Sequence, residues 1–286
     1  MRFLIDAFIL LVARAALAQS TPAAFAPLPS FPVIDSDLSR ISREAVPLKP
    51  FSVVGPRGAI LGQQNGIFES WIFPWKIFSE MRMTVEMKDY PVPIDVNECA
   101  AWIDVQPNAT TITYSHANFT IRQTMIAPRD AAPQDGPLVF YQFQSVRPMT
   151  ITFSMRPEMK RMWPAESDDI PSPEWVPAAG HSGFYILHLN FPDHAAALAM
   201  PEADAGILPP YQERAQYWPL QFVLHFDPAR GSGKIFPLLL VIAATEKEAQ
   251  KSALGESLAA LDVSAQKYFV DQTAYWRTSL ATATRL

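Results

Sequence analysis

One carboxylate, Glu69, lies within a stretch of the sequence that is dense in aromatic residues. Flat aromatic rings can stack on the apolar faces of sugar rings, and a carboxylate beside them can accept hydrogen bonds from the sugar hydroxyls. The aromatic residues of the stretch are Phe68, Trp71, Phe73, Trp75 and Phe78. Glu69, Trp71 and Trp75 are therefore candidate substrate-binding residues.

The same stretch also fits a strand that buries its rings in a hydrophobic core. It opens with Gly-Gln-Gln-Asn-Gly at 62–66, and because glycine permits positive φ, a tight turn is predicted there. Trp71 and Trp75 are expected to alternate on the strand that follows, and for both a core position is the favoured interpretation. For Glu69, a structural or rim role is favoured over that of a catalytic acid.

Two further tryptophans, Trp163 and Trp175, are candidate substrate-binding residues in a stretch without periodicity. Residues 159–182 contain four prolines and four acidic residues, which interrupt the strand pattern on either side. Long irregular segments in a compact domain often carry function. A solvated excursion fits this composition equally well.

Several classes of chemistry lack the residues that they require. The five histidines have no metal-ligand spacing, so no metal site is predicted. No cofactor is predicted either, since the sequence has no glycine-rich phosphate loop and no G-x-S-x-G motif. The single cysteine, Cys99, excludes an intrachain disulfide and is expected to be buried. A formal net charge of −5 without any Lys/Arg cluster argues against a nucleic-acid surface.

The N-terminal segment has the pattern of a secretory signal. Residues 1–18 combine an early basic residue with a mostly apolar run and the small-x-small sequence Ala16-Leu17-Ala18, so cleavage before Gln19 is expected. Residues 19–50 are rich in Ala, Pro and Ser and fit a linker or an extended arm. No other segment is long and apolar enough to span a bilayer. The protein is therefore predicted to be exported, periplasmic or extracellular, and not bound to a membrane after cleavage.

Residues 51–245 have the pattern of a β domain. Phe78–Lys88 alternates apolar and polar residues, which predicts a strand with one face buried. Leu138–Val146 and Met149–Arg156 are predicted to form a hairpin around Arg147-Pro148, and the apolar run Ile235–Ala244 predicts a strand buried on both faces. Strands at this spacing are typical of a β-sandwich or a β-barrel.

Residues 246–286 are predicted to be a helical linker. Thr245-Glu246-Lys247-Glu248 fits a capping box, which places the start of a first helix that ends near Leu261. A second helix is expected over about Ser264–Ala283. The two C-terminal helices would follow the β domain directly.

The sequence GQQNGIFESWIFPWKIF, together with the segment Met162–Pro164, resembles the N-terminal β-sandwich domain of bacterial amylo-α-1,6-glucosidase-like, glycogen-debranching-type proteins. These are six-hairpin glycosidases, and the resemblance extends from about Phe51 to the C-terminus. It implies a large antiparallel supersandwich of the galactose-mutarotase-like kind. In that family a helical linker follows, and then an (α/α)6 catalytic barrel, which would begin about where this chain stops at Leu286.

The resemblance implies a function for the chain. Glycoside hydrolysis needs two carboxyl groups, held roughly 6.5–9.5 Å apart in an inverting enzyme. In this family both come from the barrel, so no catalytic residue is assigned here. The predicted function is a non-catalytic sandwich domain of an exported α-glucan-type glycoside hydrolase, with an oligosaccharide and the helical barrel as partners. Alternatives are a free-standing carbohydrate-binding or surface protein, and a sugar epimerase or lyase on the same sandwich.

Overall fold

The computed structural model describes residues 40–162, 171, 173–178, 181–189, 194–206, 220–243 and 247–283. The predicted signal sequence at 1–18, most of the predicted arm at 19–50, Trp163 and the predicted capping residue Thr245 lie outside this part of the chain. What the sequence predicts for them stays a prediction.

The described residues form seventeen β-strands. In chain order they are β1 (Ile41–Glu44), β2 (Pro50–Val54), β3 (Gly58–Gln63), β4 (Phe68–Ile72), β5 (Trp75–Glu86), β6 (Ile94–Asp95), β7 (Ala100–Val105), β8 (Thr110–His116), β9 (Phe119–Ile126), β10 (Leu138–Ser145), β11 (Met149–Arg161), β12 (Pro173–Ala178), β13 (His181–Leu189), β14 (His194–Ala199), β15 (Asp204–Ala205), β16 (Leu220–Phe226) and β17 (Phe236–Ala243).

The strands form two antiparallel sheets that pack face to face. One is nine-stranded, in the order β1-β7-β8-β9-β10-β17-β14-β13-β12. The other is eight-stranded, in the order β15-β16-β11-β5-β4-β3-β2, with β6 pairing the far end of β5. The predicted large antiparallel sandwich is confirmed.

The main core lies between the two sheets, and β5 shows how the sequence builds it. Met81, Met83 and Val85 are fully buried against the opposite sheet, whereas Thr84 and Glu86 face outward. This is the alternation that the sequence predicts, since successive strand residues point to opposite faces of a sheet.

A long helix packs on the outer face of the nine-stranded sheet. After the short helix α1 (Pro228–Gly231), the 37-residue helix α2 (Lys247–Ala283) ends the described chain. A second apolar cluster joins it to strands β9, β10, β13, β14 and β17. The helix residues of this cluster are Leu254, Leu258, Leu261, Ala265 and Phe269.

One continuous helix replaces the two that the sequence predicts at the C-terminus. The expected break, between Leu261 and Ser264, contains neither proline nor glycine. The Ser264 hydroxyl donates to the carbonyl of Ala260 at 2.9 Å, so the polar side chain is accommodated within the helix.

Strands β10 and β11 do not form the predicted hairpin, because the chain crosses from one sheet to the other at Arg147-Pro148. Strand β10 pairs with β9 and β17, and β11 pairs with β5 and β16. The reason is that both faces of β10 are buried, whereas β11 has one apolar and one polar face. On β10, Phe140 packs toward the helix and Tyr141 toward the main core, whereas β11 alternates apolar residues with Thr, Ser and Arg. Among the described residues no helix covers the outer face of the eight-stranded sheet, so the polar side chains of β11 can face outward there.

Strand β17 is buried on both faces, as its unbroken apolar sequence predicts. Leu238 and Leu240 belong to the main core, and Leu239 and Val241 lie beneath the helix. With α2 over the nine-stranded sheet, the outer face of the eight-stranded sheet is the broad face that the described residues leave uncovered.

Candidate functional site at the hairpin end of the eight-stranded sheet

A tight hairpin separates the two tryptophans of the aromatic stretch. Strands β4 and β5 join through Phe73 and Pro74, across a cis peptide bond. Ile72 pairs with Trp75, and Trp71 pairs with Lys76. Directly paired residues share a face of the sheet, so Trp71 lies on the outer face and Trp75 on the inner one. The expectation that both alternate on one strand is wrong.

Glu69, Trp71 and Lys76 form a cluster on the outer face. The Trp71 indole donates a 2.8 Å hydrogen bond to Oε1 of Glu69. The Lys76 ammonium lies 2.7 Å from Oε2 of the same carboxylate and 5.1 Å from the centroid of the Trp71 ring. All three side chains are half-buried. The Glu69 carboxylate therefore holds the Trp71 indole by its N–H edge, and the Lys76 ammonium lies over the face of the same ring.

Trp75 is a core residue, with only 4% of its surface exposed. Its ring lies 4.9 Å from the imidazole of His194 on the opposite sheet, and the guanidinium of Arg161 is 5.5 Å from the ring. Trp175 is half-buried at the edge strand β12, with its ring 4.9 Å from Tyr185. The structure therefore brings Glu69 and Trp71 together and places Trp75 and Trp175 elsewhere; Trp163 is not described.

Three partly exposed apolar side chains surround the Glu69 cluster. Leu61 pairs with Glu69 across β3 and β4, and Phe73 forms the tip of the hairpin. The backbone N–H of Met162 donates to the carbonyl of Pro74 at 2.7 Å, and this methionine is 49% exposed. We define the hairpin-end patch as the following residues: Leu61, Glu69, Trp71, Phe73, Lys76 and Met162.

A second charged network borders the patch around Glu158, which is buried. The Ser79 hydroxyl donates to its Oε1 at 2.7 Å, and the Lys160 ammonium lies 3.1 Å from Oε2. Arg156 lies 3.7 Å from the same carboxylate. Burial raises the pKa of Glu158, but these hydrogen bonds and positive charges outweigh it, so the pKa lies below its usual value.

Two register shifts between β5 and β11 bring the residues of the Glu158 network together. The register of β5 and β11 shifts twice, and two non-glycine residues at these points, Glu80 and Met159, have φ of 52° and 45°. Each shift sets two residues of one strand against one of its partner, which is a β-bulge. Sequence reasoning missed Glu158 and Ser79; the available signal was Pro157, because proline inside a strand often marks a bulge.

Each of the two carboxylates in this region is paired with a lysine. The Lys76 ammonium contacts Glu69, and the Lys160 ammonium contacts Glu158. Among the described residues, no group of three His, Cys, Asp or Glu side chains could hold a metal ion. None of the helices in the described ranges is long and apolar enough to cross a bilayer.

No protein-family model and no curated protein matches the sequence. Solved structures do match its fold. A bacterial glucoamylase in complex with acarbose matches 83% of this chain at a TM-score of 0.49 and 10% identity. A protein from the human microbiome described as a kojibiose phosphorylase matches 81% at 0.44, and a family GH92 α-mannosidase from Bacteroides thetaiotaomicron matches 79% at 0.27, both at 10% identity.

At 10% identity, the likeness to these three structures concerns the fold alone. The chain spans 40%, 37% and 31% of the lengths of the three proteins, in the same order.

Proposed function

We propose that this chain is a non-catalytic β-sandwich domain of an exported glycoside hydrolase, and that the hairpin-end patch contacts a helical catalytic domain. The observation that carries the proposal is the composition of the patch. Trp71, Phe73 and Met162 are partly exposed around the Glu69–Lys76 ion pair. Aromatic residues and methionine are enriched in protein interfaces, where they act as anchors within a polar rim.

The geometry around Trp71 favours a protein partner over direct stacking of a sugar there. The indole N–H is already used by Glu69, and the Lys76 ammonium lies over the ring. A pyranose would have to displace this cation before it could stack on that face. A protein surface can instead pack on the exposed ring edge and on Phe73 without breaking the ion pair. The sandwich would then form one wall of a sugar site whose acid and base belong to the partner domain.

The reading frame downstream of the Leu286 codon provides the first test. We expect it to encode a helical barrel with paired carboxylates. That segment, expressed separately, should associate with the wild-type chain in analytical ultracentrifugation and should bind the double variant Trp71→Ala/Phe73→Ala at least tenfold more weakly. Val146→Ala, an exposed position at the crossing between the sheets, is the matched control and should bind normally. Equal binding by all three proteins would contradict the assignment of the patch.

Catalysis and export are tested separately. The purified chain should not hydrolyse maltooligosaccharides, and turnover abolished by Glu69→Gln would overturn the non-catalytic assignment.

Mass spectrometry of the secreted protein should find Gln19 as its first residue, whereas an intact Met1 in the membrane fraction would contradict a cleaved signal.

A further inference from the structure

A groove lined by both polar and apolar residues lies at the opposite end of the eight-stranded sheet from the hairpin-end patch. It holds about 640 Å³ and is formed by the ends of β5, β11 and β16 together with the turn at Pro91-Val92-Pro93. Lys76 and Glu86 lie ten positions apart on β5, so the groove and the patch are roughly 30 Å apart along the strand. The groove is therefore a site distinct from the proposed domain interface.

Three polar side chains form a row across the floor of this groove. Thr150 on β11 pairs with Glu86 on β5 and with His225 on β16. Because directly paired residues share a face, all three side chains rise from the outer face of the sheet. With neighbouring strands about 4.8 Å apart, the carboxylate and the imidazole start from Cα atoms roughly 10 Å apart, with the threonine hydroxyl between them.

Some polar atoms of the row are already hydrogen-bonded to each other, and others have no partner among the described residues. The Thr150 hydroxyl lies 3.1 Å from Nδ1 of His225, which orients the imidazole. Nε2 of His225 has no partner within the described residues. The exposed side chains of Glu86 and Lys88 also have no partner among the described residues, and Lys88, like Glu86, lines the groove. The groove therefore offers an acceptor, a cationic donor and a ring nitrogen to a ligand.

The charges of the groove favour a neutral ligand. Asp227 is paired locally, since its Oδ1 accepts from the Ala229 backbone N–H at 3.0 Å and its Oδ2 lies 4.0 Å from Nε of Arg230, whose positive charge offsets that of the carboxylate. Glu86 and Lys88 then balance each other, so neither a polyanion nor a polycation is selected. The wall opposite the row is apolar and rigid, with Val92 66% exposed between two prolines. A ligand that presents many hydroxyls and also carries apolar C–H faces complements both surfaces.

We propose that this groove binds a neutral saccharide, with its hydroxyls hydrogen-bonded to Glu86, Lys88 and His225 and an apolar ring face against Val92. The carboxylate accepts from adjacent hydroxyl groups, and the ammonium donates to ring or hydroxyl oxygens. This inference concerns binding and does not depend on contact with a catalytic domain.

Isothermal titration calorimetry on the full chain tests the proposal, with maltohexaose, cellohexaose and mannohexaose as neutral probes and hexagalacturonate as the acidic comparison. At least one neutral probe should bind, and Glu86→Ala and His225→Ala should each raise its Kd about tenfold, since each removes a hydrogen-bonding side chain. Thr84→Ala changes the same face of β5 outside the groove and should leave the Kd unchanged. Circular dichroism checks that each variant is folded.

Three results would overturn the saccharide site: no binding of any neutral probe at millimolar concentration, a Kd insensitive to both groove variants, or a preference for hexagalacturonate. The Trp71→Ala/Phe73→Ala variant should bind the saccharide normally. Loss of association with the helical domain can thus be told apart from loss of the groove.

Discussion

The Nδ2 amide of Asn108 donates a 2.9 Å hydrogen bond to the hydroxyl of Thr273, joining the turn between β7 and β8 to helix α2. Both side chains are buried, although 165 residues separate them in the sequence. The Thr273 hydroxyl in turn donates to the carbonyl of Phe269 at 2.9 Å. A buried polar contact therefore ties the helix to the turn between β7 and β8.

Replacing Thr273 by valine should destabilise the protein by about 1–3 kcal/mol, because the Asn108 amide would be left buried without its acceptor. Urea denaturation followed by circular dichroism measures the change. Thr278→Val is the matched control, since the Thr278 hydroxyl bonds only within the helix and is exposed. Equal losses for the two variants would show that the contact with Asn108 contributes nothing specific.

Phe269 should be a major anchor of helix α2. It is 2% exposed, and its ring meets that of Phe140 edge-on at a centroid distance of 6.1 Å. Phe269→Ala should cost about 3–5 kcal/mol in the free energy of unfolding. The next residue, Val270, is 52% exposed, so Val270→Ala should change stability by less than about 0.5 kcal/mol. A small effect at both positions would mean that the helix docks only loosely.

Glu158 should stabilise the fold in a pH-dependent way. Its pKa in the folded protein lies below the ordinary value of 4.5, so its contribution is complete above that pH and is lost as the pH falls through the folded-state pKa. Glu158→Gln should be less stable than the wild type by about 1–3 kcal/mol at pH 7, and the difference should shrink below about pH 4. Thermal unfolding at pH 7, 5 and 3.5 tests this; a constant difference across the series would argue against an ionic role.

The two tryptophans of the hairpin should respond differently to truncation. Trp75→Ala removes a buried ring between the sheets and should cost about 3–5 kcal/mol. Trp71→Ala removes a half-buried ring on the outer face and should cost less than about 2 kcal/mol. Chemical denaturation of the two variants distinguishes them, and a larger loss for Trp71 would contradict the assignment of faces.

Local patterns predicted those elements whose burial is set by the strand itself. The alternation in Phe78–Lys88 gave the correct buried face of β5, and the continuous apolar sequence of β17 predicted its two covered faces. The sequence also contained a signal for the hairpin at Phe73-Pro74, although the tryptophans on either side were expected on one strand. Proline cannot donate to a sheet hydrogen bond, so Pro74 argued for a chain reversal between Trp71 and Trp75.

Other features depend on contacts with residues that are distant in the sequence, which local patterns cannot predict. The pairing of β10 with β17 and of β11 with β16 joins segments that are far apart in the chain. The carboxylate of Glu158 meets Ser79 across 79 residues, and only the register of two bulged strands brings them together. The groove at Glu86 and His225 likewise exists only once three strands are aligned.

The position of β17 has a consequence for how the protein is made. It is the last of the described strands in the sequence, yet it lies within the nine-stranded sheet, between β10 and β14. Until β17 has left the ribosome, β10 and β14 each lack a neighbour on one side. During synthesis, two apolar strand edges must therefore wait unpaired, which slows folding and exposes the nascent chain to aggregation.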